Sequence, residues 1–73
     1  MTLGQRMRSL RKMSFTSADK AANLLGITKP TLYSYEKDVR EPQARTIIGM
    51  CELYGCSADY LLTGKEWGGD EDP

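Results

Sequence analysis

Hydrophobic side chains recur at helical spacing near the start of the chain. The apolar positions there are Leu3, Met7 and Leu10. Spacings of three and four residues place side chains on one face of an α-helix, so this segment predicts a first helix over about residues 3–12. Thr2 and Gln5 have the spacing of a capping box, in which a hydroxyl and an amide side chain satisfy free backbone groups at a helix start. The first element is therefore expected to be an amphipathic helix.

A second short helix pattern follows a polar connection. Ser17 is a favourable N-cap, because its hydroxyl can accept a hydrogen bond from an amide of the first turn. Small or apolar residues then occupy the inner positions Ala21, Ala22 and Leu25. Gly26 ends the helix, and Ile27 is expected to fill the core after it. The two alanines leave room for a neighbouring helix to cross at close range.

The third helix pattern follows Thr28, which can cap it. With Thr28 as its cap the helix begins at Lys29; because Pro30 favours the first helical position and disfavours helical geometry in the residue before it, a start one residue later, at Pro30, is the alternative. Leu32 and Tyr35 fall on one side and are predicted to face the core. The other sides carry Lys29, Pro30, Tyr33, Ser34 and Lys37. This helix thus presents cationic, aromatic and hydroxyl groups on its outer surface.

Two further helices complete the pattern. After a turn that ends at Pro42, a fourth helix is predicted over about residues 43–54. Its expected core positions are Ile47, Ile48, Cys51 and Tyr54. Ser57 caps a last short helix over residues 58–62. Five helices and no strand pattern indicate an all-α fold.

The length and composition fit a single small domain. The chain has 73 residues, of which 40% are hydrophobic, which is enough for one small core. From position 65 the composition becomes acidic and rich in glycine, as is typical of a flexible tail. The sequence therefore predicts a compact five-helix domain over residues 1–64 and an acidic, flexible tail over residues 65–73.

The formal net charge of zero conceals an uneven distribution. Residues 1–45 carry nine Lys or Arg and four acidic residues, a net charge of +5, whereas residues 46–73 carry one lysine and six acidic residues, a net charge of −5. Surfaces that bind phosphate normally show a basic excess. A nucleic-acid surface is therefore expected within the first 45 residues, with ordinary solvated charge as the alternative.

Several classes of function lack candidate residues. The chain contains no histidine, Gly-rich phosphate loop or nucleophile elbow, so we expect neither enzyme activity nor a cofactor. Cys51 and Cys56 are too few for a disulfide framework or a zinc site, and we interpret both as reduced, buried thiols. No apolar run reaches the roughly 18 to 20 residues of a membrane span, and the start lacks the pattern of a signal peptide. A cytoplasmic protein without a membrane or small-molecule partner is expected.

The order and spacing of these features resemble a known family. The residues that carry the resemblance are the Leu10-Arg11-Lys12 helix end, the Ala22-x-x-Leu25-Gly26-Ile27-Thr28 turn, the Thr31-Leu32-x-x-Tyr35-Glu36 helix, Pro42, and the closing segment from Tyr54 to Leu62. Over residues 2–64 the chain resembles the helix-turn-helix DNA-binding domains of lambdoid phage repressors, Cro proteins and related bacterial regulators. The resemblance implies a lambda-repressor-like domain of five helices, whose second and third helices form the DNA-binding unit.

The resemblance also implies which residues meet DNA. The base-reading positions are Lys29, Pro30, Tyr33 and Ser34. The phosphate-contacting positions are Ser17, Ala18, Thr28, Lys37, Arg40 and Arg45. Where the family commonly has glutamine, this chain has Ala18, which removes the side chain of one phosphate clamp. Plain solvation is the alternative interpretation for Lys29, Tyr33 and Ser34.

Three acidic or basic positions have an expected structural role. The resemblance pairs Arg11 with Glu36 inside the domain, the first helix against the third, and we interpret the two as a structural ion pair. Asp38 stands where the family often has glycine or asparagine. Aspartate tolerates the left-handed backbone of such a turn, and its carboxylate is expected to point away from phosphate.

The function that the resemblance implies is sequence-specific DNA binding by a transcriptional regulator, most simply a repressor from a phage or mobile element. Because one recognition helix covers few base pairs, we expect a homodimer on a palindromic operator in double-stranded DNA. The dimer candidates are Tyr60, Leu61, Leu62 and Trp67, with the core as their alternative place. The rival class is a protein-interaction module, such as an antitoxin or a helix-turn-helix fold without DNA binding. A complete small regulator and one domain of a longer repressor both fit, and the acidic tail favours a natural terminus.

Overall fold

Five α-helices make up most of the described chain. The computed structural model describes residues 1–65, and within that range helices are joined by turns without any strand. The helices are α1 (Leu3–Met13), α2 (Ala18–Leu25), α3 (Lys29–Glu36), α4 (Ala44–Tyr54) and α5 (Ala58–Thr63). The prediction of an all-α, five-helix fold is confirmed. Trp67 and the predicted tail beyond Lys65 lie outside the described residues.

Side-chain caps set where the helices begin. The Thr2 hydroxyl accepts a hydrogen bond from the Gln5 amide at 3.1 Å, and the Gln5 side chain accepts one from the Thr2 amide at 2.9 Å. This completes the predicted capping box of α1. Ser17 and Ser57 cap α2 and α5 in the same manner, each through the amide three residues further on. Such local hydrogen bonds can be recognised in the sequence, so these helix starts agree closely with the prediction.

Helix α3 begins at Lys29, directly after the predicted Thr28 cap. The Thr28 hydroxyl accepts a hydrogen bond from the Thr31 amide at 3.3 Å, so Lys29 occupies the first helical position and Pro30 the second. The alternative start at Pro30 is wrong because the first turn of a helix has several amides without an intrahelical acceptor, and proline is tolerated at any of them. Lys29 therefore lies in the first turn of α3.

Each helix contributes to one hydrophobic core. Its fully buried large side chains are Met7, Leu32, Met50 and Leu61. On α4, Ile48 was predicted to be buried but is 57% exposed, and Met50 lies inside instead. The inner residues Ile47, Met50 and Tyr54 are spaced by three and four, whereas Ile48 lies about 100° further round the helix than Ile47. Adjacent isoleucines cannot both face inward, so Ile48 is an apolar surface residue.

Helix α5 closes the core through Leu61. Because Leu61 is fully buried, its side chain belongs to the core, and its inclusion among the dimer candidates is wrong. The helix is short and packs on both α1 and α4, so its central residue faces inward. Leu62 is 49% exposed and Tyr60 is half-buried. Of the four dimer candidates, these two lie on the described surface.

Arg6 is buried and connects the start of the chain to the end of α5 through hydrogen bonds. Its Nε donates to the Leu61 carbonyl at 2.8 Å, and its Nη2 donates to the Leu62 carbonyl at 3.0 Å. Its Nη1 donates to the Met1 carbonyl at 2.6 Å. The last carbonyls of a helix lack intrahelical donors, so this guanidinium caps α5 while joining it to α1. Arg6 is thus a buried cation with a structural role.

The start of α1 packs closely on the end of α3. A Cβ atom at Gly4 would lie 2.5 Å from the Glu36 carbonyl oxygen, so this contact requires glycine. Asp38 has a left-handed backbone at φ 62° and accepts hydrogen bonds from the Thr2 hydroxyl at 2.5 Å and the Gly4 amide at 2.8 Å. These two bonds, the Thr2 bond first, hold the pKa of the Asp38 carboxyl below its usual value. The carboxylate is thus turned to the start of α1, where the helix dipole favours it.

Candidate nucleic-acid interface

Small side chains allow α2 and α3 to meet at close range. Ala21 is fully buried and Ala22 nearly so, and both belong to the same core as Leu32 and Tyr35 of α3. Gly26 ends α2 with a left-handed backbone at φ 73°, which glycine adopts without strain. The inner side of α3 is therefore occupied by the core, and its outer side is left to solvent.

The four predicted base-reading residues lie together on the outer side of α3. Lys29, Pro30, Tyr33 and Ser34 line one shallow depression, which Lys37 and Val39 complete. Lys29, Pro30 and Lys37 are exposed, and Ser34 is half-buried. We call the six residues of this depression the outer α3 surface. It combines two ammonium groups with a phenol and a hydroxyl, which can all hydrogen-bond to a polar partner.

An ion pair links the first of these residues to α2. Lys29 Nζ lies 3.1 Å from Asp19 Oδ1, and the two side chains are 45% and 78% exposed. The hydrogen bond that Lys29 donates to Asp19, followed by the negative charge of Asp19, raises the pKa of the Lys29 ammonium above its usual value. The sequence pattern does not predict this pair, because Asp19 and Lys29 meet only through the turn between α2 and α3. The one sequence signal was an acidic residue in the first turn of α2.

Three predicted phosphate contacts stand at helix starts. The Ser17 hydroxyl accepts a hydrogen bond from the Lys20 amide at 3.1 Å, and Thr28 caps α3 in the same way. The Ala18 methyl is buried in the core, so the position offers a ligand only its backbone amide. The first amides of a helix lack intrahelical acceptors and can bind an anion.

The remaining predicted phosphate contacts are cations on two separate surfaces. Lys37 belongs to the outer α3 surface, and Arg40 follows it in the exposed turn after α3. The Arg40 guanidinium carbon lies 5.9 Å from the centre of the Tyr35 ring, within cation–π range. Arg45 instead lines a depression between the end of α2 and α4. The structure thus brings Lys37, but not Arg45, beside the base-reading candidates.

Arg11 and Glu36 form a two-point ion pair in the interior. Arg11 Nε lies 2.7 Å from Glu36 Oε2, and Arg11 Nη2 lies 3.1 Å from Glu36 Oε1. The remaining nitrogen, Nη1, donates to the Thr16 carbonyl at 3.1 Å. Both charged residues are buried, and the hydrogen bond to Glu36 is the main reason why the pKa of Arg11 is raised. The pair joins α1 to α3, and neither of its residues lines the outer α3 surface.

The order of the five helices and the close α2–α3 corner match an established domain type. The family model described as the helix-turn-helix domain matches residues 4–66 of the chain. This chain belongs to the helix-turn-helix domain family. The family relationship that the sequence motifs indicated is confirmed.

Proteins similar to this helix-turn-helix domain are named as regulators. The HTH-type transcriptional regulator ImmR of Bacillus subtilis (strain 168) is 38% identical over 66 residues, which are 90% of this chain and 51% of that protein. The cryptic phage CTXphi transcriptional repressor RstR of Vibrio cholerae is 29% identical over 66 residues, which are 90% of this chain and 60% of that protein. The helix-turn-helix domain therefore spans about half of the length of these relatives.

Solved structures with the same architecture include a repressor and a controller protein. The P22 c2 repressor in complex with a synthetic operator matches with a TM-score of 0.83 at 25% identity, covering 89% of this chain and 98% of that chain. The restriction-modification controller protein C.AhdI from Aeromonas hydrophila matches with a TM-score of 0.75 at 23% identity, covering 82% and 91%. The lambda-repressor-like fold, with α2 and α3 as its helix-turn-helix, is confirmed.

Two thiols and one phenol lie partly or wholly inside this helix-turn-helix domain. Cys51 and Cys56 are free and half-buried, so they are less buried than predicted, because Cys51 flanks the inner stripe of α4 and Cys56 lies in the turn after it. Burial, together with the neighbouring Cys51, raises the pKa of the Cys56 thiol to about 11. Burial raises the pKa of Tyr54 to about 12, and within residues 1–65 its hydroxyl has no hydrogen-bond partner. The Cys56 thiol and the Tyr54 phenol therefore stay protonated at neutral pH.

Two other kinds of site are absent from residues 1–65. In that range the side chains of Cys, Asp and Glu form no group that could hold a metal ion. Helices α1 to α5 are all too short and too polar to cross a membrane.

Proposed function

We propose that this helix-turn-helix domain binds double-stranded DNA as a homodimer and represses transcription from a palindromic operator, which it occupies to exclude polymerase. The observation that carries the proposal is the outer α3 surface, where cationic, aromatic and hydroxyl groups lie together on a helix whose inner side is used by the core. The P22 c2 repressor supports it, because its structure in complex with an operator has the same fold. A cytoplasmic location follows from DNA as the partner.

The outer α3 surface suits the edges of bases in the major groove. The Lys29 ammonium can donate to guanine O6 or N7, and the Ser34 hydroxyl can donate to or accept from several base edges. Pro30 offers only apolar contact, such as with a thymine methyl group. Tyr33 lies between these residues in the same depression and can reach a base or a sugar. We therefore assign direct base reading to this set.

The phosphate backbone would be held by groups around that surface. Lys37 belongs to the outer α3 surface, Arg40 follows it in the turn after α3, and both are exposed. The free amides at the start of α2, at Ser17 and Ala18, and those after Thr28 can each bind an anion. Arg45 is the most distant candidate, since it lines another depression. These contacts would fix the position of the domain on DNA without selecting a sequence.

Most of the cationic side chains of residues 1–45 lie on the surface of the domain. Arg6 and Arg11 are buried and bonded internally, and the Arg11 charge is balanced by Glu36. The remaining Lys and Arg of residues 1–45 are all exposed: Arg8, Lys12, Lys20, Lys29, Lys37, Arg40 and Arg45. A local basic excess attracts phosphate even where the formal net charge of the chain is zero. This distribution supports DNA over an uncharged partner.

The proposed dimer contact is an apolar depression beside α4 and α5. Ile48 and Leu62 line it and are both about half exposed. The other apolar residues of the depression are Leu3, Pro42, Ala44, Ile47 and Ala58. Contact between two copies would remove these side chains from water, and a two-fold contact uses the same patch on both copies. We therefore assign the dimer surface to Ile48 and Leu62, with Tyr60 as a neighbouring candidate.

Substitution of single cations tests the assignment of base and phosphate contacts. Lys29→Ala should reduce the preference for one base at one operator position, and Arg40→Ala should weaken binding to every sequence similarly. Arg40→Ala should also reduce the slope of log K against log salt by about 1. Electrophoretic titration of operator and random fragments measures both effects. Lys65→Ala, which removes a cation after α5, is the matched control and should bind like the parent.

The same titration separates DNA binding from the rival class. If Lys29→Ala and Arg40→Ala bind all fragments as well as the parent, the assignment to the outer α3 surface is wrong. If the parent itself binds no fragment, a protein-interaction module such as an antitoxin becomes the better interpretation.

A further inference from the structure

The ion pair between Asp19 and Lys29 lies at the edge of the proposed reading surface. Both residues occupy the first turn of their helices, Asp19 in α2 and Lys29 in α3. Their charged atoms are 3.1 Å apart although both side chains are largely exposed. Exposed ion pairs contribute little to the stability of a fold. The buried residues Ala21 and Ala22 already allow α2 to pack against α3. We therefore expect the Asp19–Lys29 pair to act in DNA binding, and not in stability.

A carboxylate at this place has two physical consequences. Lysine carries its ammonium on a flexible four-carbon stem, and a fixed acceptor restricts where that ammonium can go. Of its three N–H donors, one is directed to Asp19 and two are left for a partner. The negative charge also repels phosphate, which opposes binding to DNA of any sequence. Both effects favour a base edge over the backbone as the partner of Lys29.

No other α2 side chain at this end of the helix takes that role. The Ser17 hydroxyl is engaged as the cap of α2, and the Ala18 methyl is buried. Lys20 is cationic and would repel the ammonium of Lys29. Asp19 is thus the acceptor that α2 offers to the outer α3 surface.

We infer that Asp19 is a specificity-determining residue, which positions the Lys29 ammonium for a guanine edge and lowers the affinity for DNA of unrelated sequence. This inference rests on the proposed function, in which α3 reads bases. Lys29 is the residue that contacts the base, and Asp19 acts through it. The pair therefore increases the discrimination between DNA sequences and does not strengthen binding to DNA in general.

The chain contains a closely matched control for this residue. Ser57, Ala58 and Asp59 repeat the Ser17-Ala18-Asp19 tripeptide, and they occupy the same N-cap and first-turn positions in α5. Asp59→Asn therefore makes the same change in charge and in helix-dipole interaction as Asp19→Asn. It makes that change on α5, away from the outer α3 surface.

The experiment compares Asp19→Asn with Asp59→Asn in binding to the selected operator, to operators changed at each position, and to random fragments. For Asp19→Asn we expect the affinity for random fragments to rise about two- to fivefold, because Lys29 is then free to contact phosphate. The slope of log K against log salt should become steeper by up to about 1. The preference at the position that Lys29 reads should fall by about fivefold or more. Asp59→Asn should change none of these ratios, and both variants should keep the parent melting temperature.

A double variant separates positioning from simple charge. In the Lys29→Ala background, Asp19→Asn should still raise affinity for random fragments, but it should no longer change the preference at any base position. The inference is overturned if Asp19→Asn changes operator and random binding by the same factor, or if it lowers the melting temperature while base preference is kept. If the parent protein selects no DNA sequence, the proposed function itself fails. If the parent selects a sequence and Asp19→Asn has the same base preference as the parent, only the inference about Asp19 fails.

Discussion

Arg11 and Glu36 illustrate at the scale of single residues how a small domain uses buried charge. Each of the three guanidinium nitrogens of Arg11 has an acceptor, two of them on Glu36 and one on the Thr16 carbonyl. Glu36 in turn is almost completely buried. Domains of this size have a free energy of unfolding of only about 5–15 kcal/mol. A single unpaired charge inside would therefore remove a large share of that stability.

Glu36→Ala is accordingly expected to destabilise the domain strongly. The variant leaves the Arg11 guanidinium buried without its charged partner, which should lower the free energy of unfolding by about 3–5 kcal/mol. Thermal or urea unfolding followed by circular dichroism measures the change. Glu52→Ala, which removes an exposed carboxylate from α4, is the control and should unfold like the parent. An unfolding curve for Glu36→Ala that coincides with that of the parent would contradict the structural role of the pair.

Residue roles that depend on distant parts of the chain were the hardest to predict. The Arg11–Glu36 pair followed from the family resemblance, which relates residues of α1 and α3. Arg6 bonds to carbonyls at the other end of the domain, and Lys29 meets Asp19 only across a turn. Composition and periodicity carry no information on such contacts. The sequence therefore predicted the outer α3 residues as a set but not the carboxylate that accompanies them.

At the scale of helices, the boundaries were predictable because they depend on neighbouring residues. Caps at Thr2, Ser17 and Ser57 act within three residues and can be read from the sequence. The inner face of α4 was predicted incorrectly, since Ile47 and Ile48 are equally apolar. Which isoleucine points inward is decided by how α4 packs on α1, α2 and α5. That packing is a property of the whole fold and has no local signature.

The contact of Asp38 with the start of α1 leads to a pH-dependent prediction. Because the pKa of Asp38 is lower in the folded state, its contribution to stability is present at neutral pH and is lost as the pH falls through that lowered pKa. Asp38→Asn keeps a residue that tolerates the left-handed backbone but removes the charge. We expect a lower melting temperature for the variant at pH 7.

Melting curves of parent and Asp38→Asn across the acid range check this contact. The difference between the two proteins should shrink as the pH falls below the usual Asp value of 3.8, because the parent carboxylate then becomes protonated as well. A difference that stays constant down to strongly acid pH would show that the charge of Asp38 does not support α1.

At the scale of the whole molecule, the two halves of the sequence have opposite charge and separate proposed tasks. The exposed cations of the first 45 positions include Lys29 and Lys37 of the outer α3 surface, whereas the proposed dimer depression is mostly apolar and lies beside α4 and α5. One copy of α3 can cover only a few base pairs, so useful affinity for a single operator requires a second copy. Dimerisation and DNA binding should therefore depend on different residues.

Ile48→Ser tests the dimer surface without disturbing the core. The side chain is 57% exposed in one copy, so its loss should leave the melting temperature of the monomer nearly unchanged. Because both copies lose an apolar contact, the dimer dissociation constant should rise by about tenfold or more. Sedimentation velocity over a concentration series measures it. Leu24→Ser is the matched control, since Leu24 is also 57% exposed but lies on α2. Equal increases of the dimer dissociation constant in the two variants would exclude the depression beside α4 and α5 as the dimer surface.

Selection of bound sequences from a random pool of double-stranded DNA tests the central claim most directly. The parent protein should enrich a two-fold symmetric site whose half-sites are centred about one DNA turn apart, roughly 10 base pairs. Each half-site should contain a guanine whose enrichment disappears in the Lys29→Ala variant. A pool that shows no enriched sequence after selection, or a site that Lys29→Ala selects unchanged, would contradict the assignment of α3 as the recognition helix.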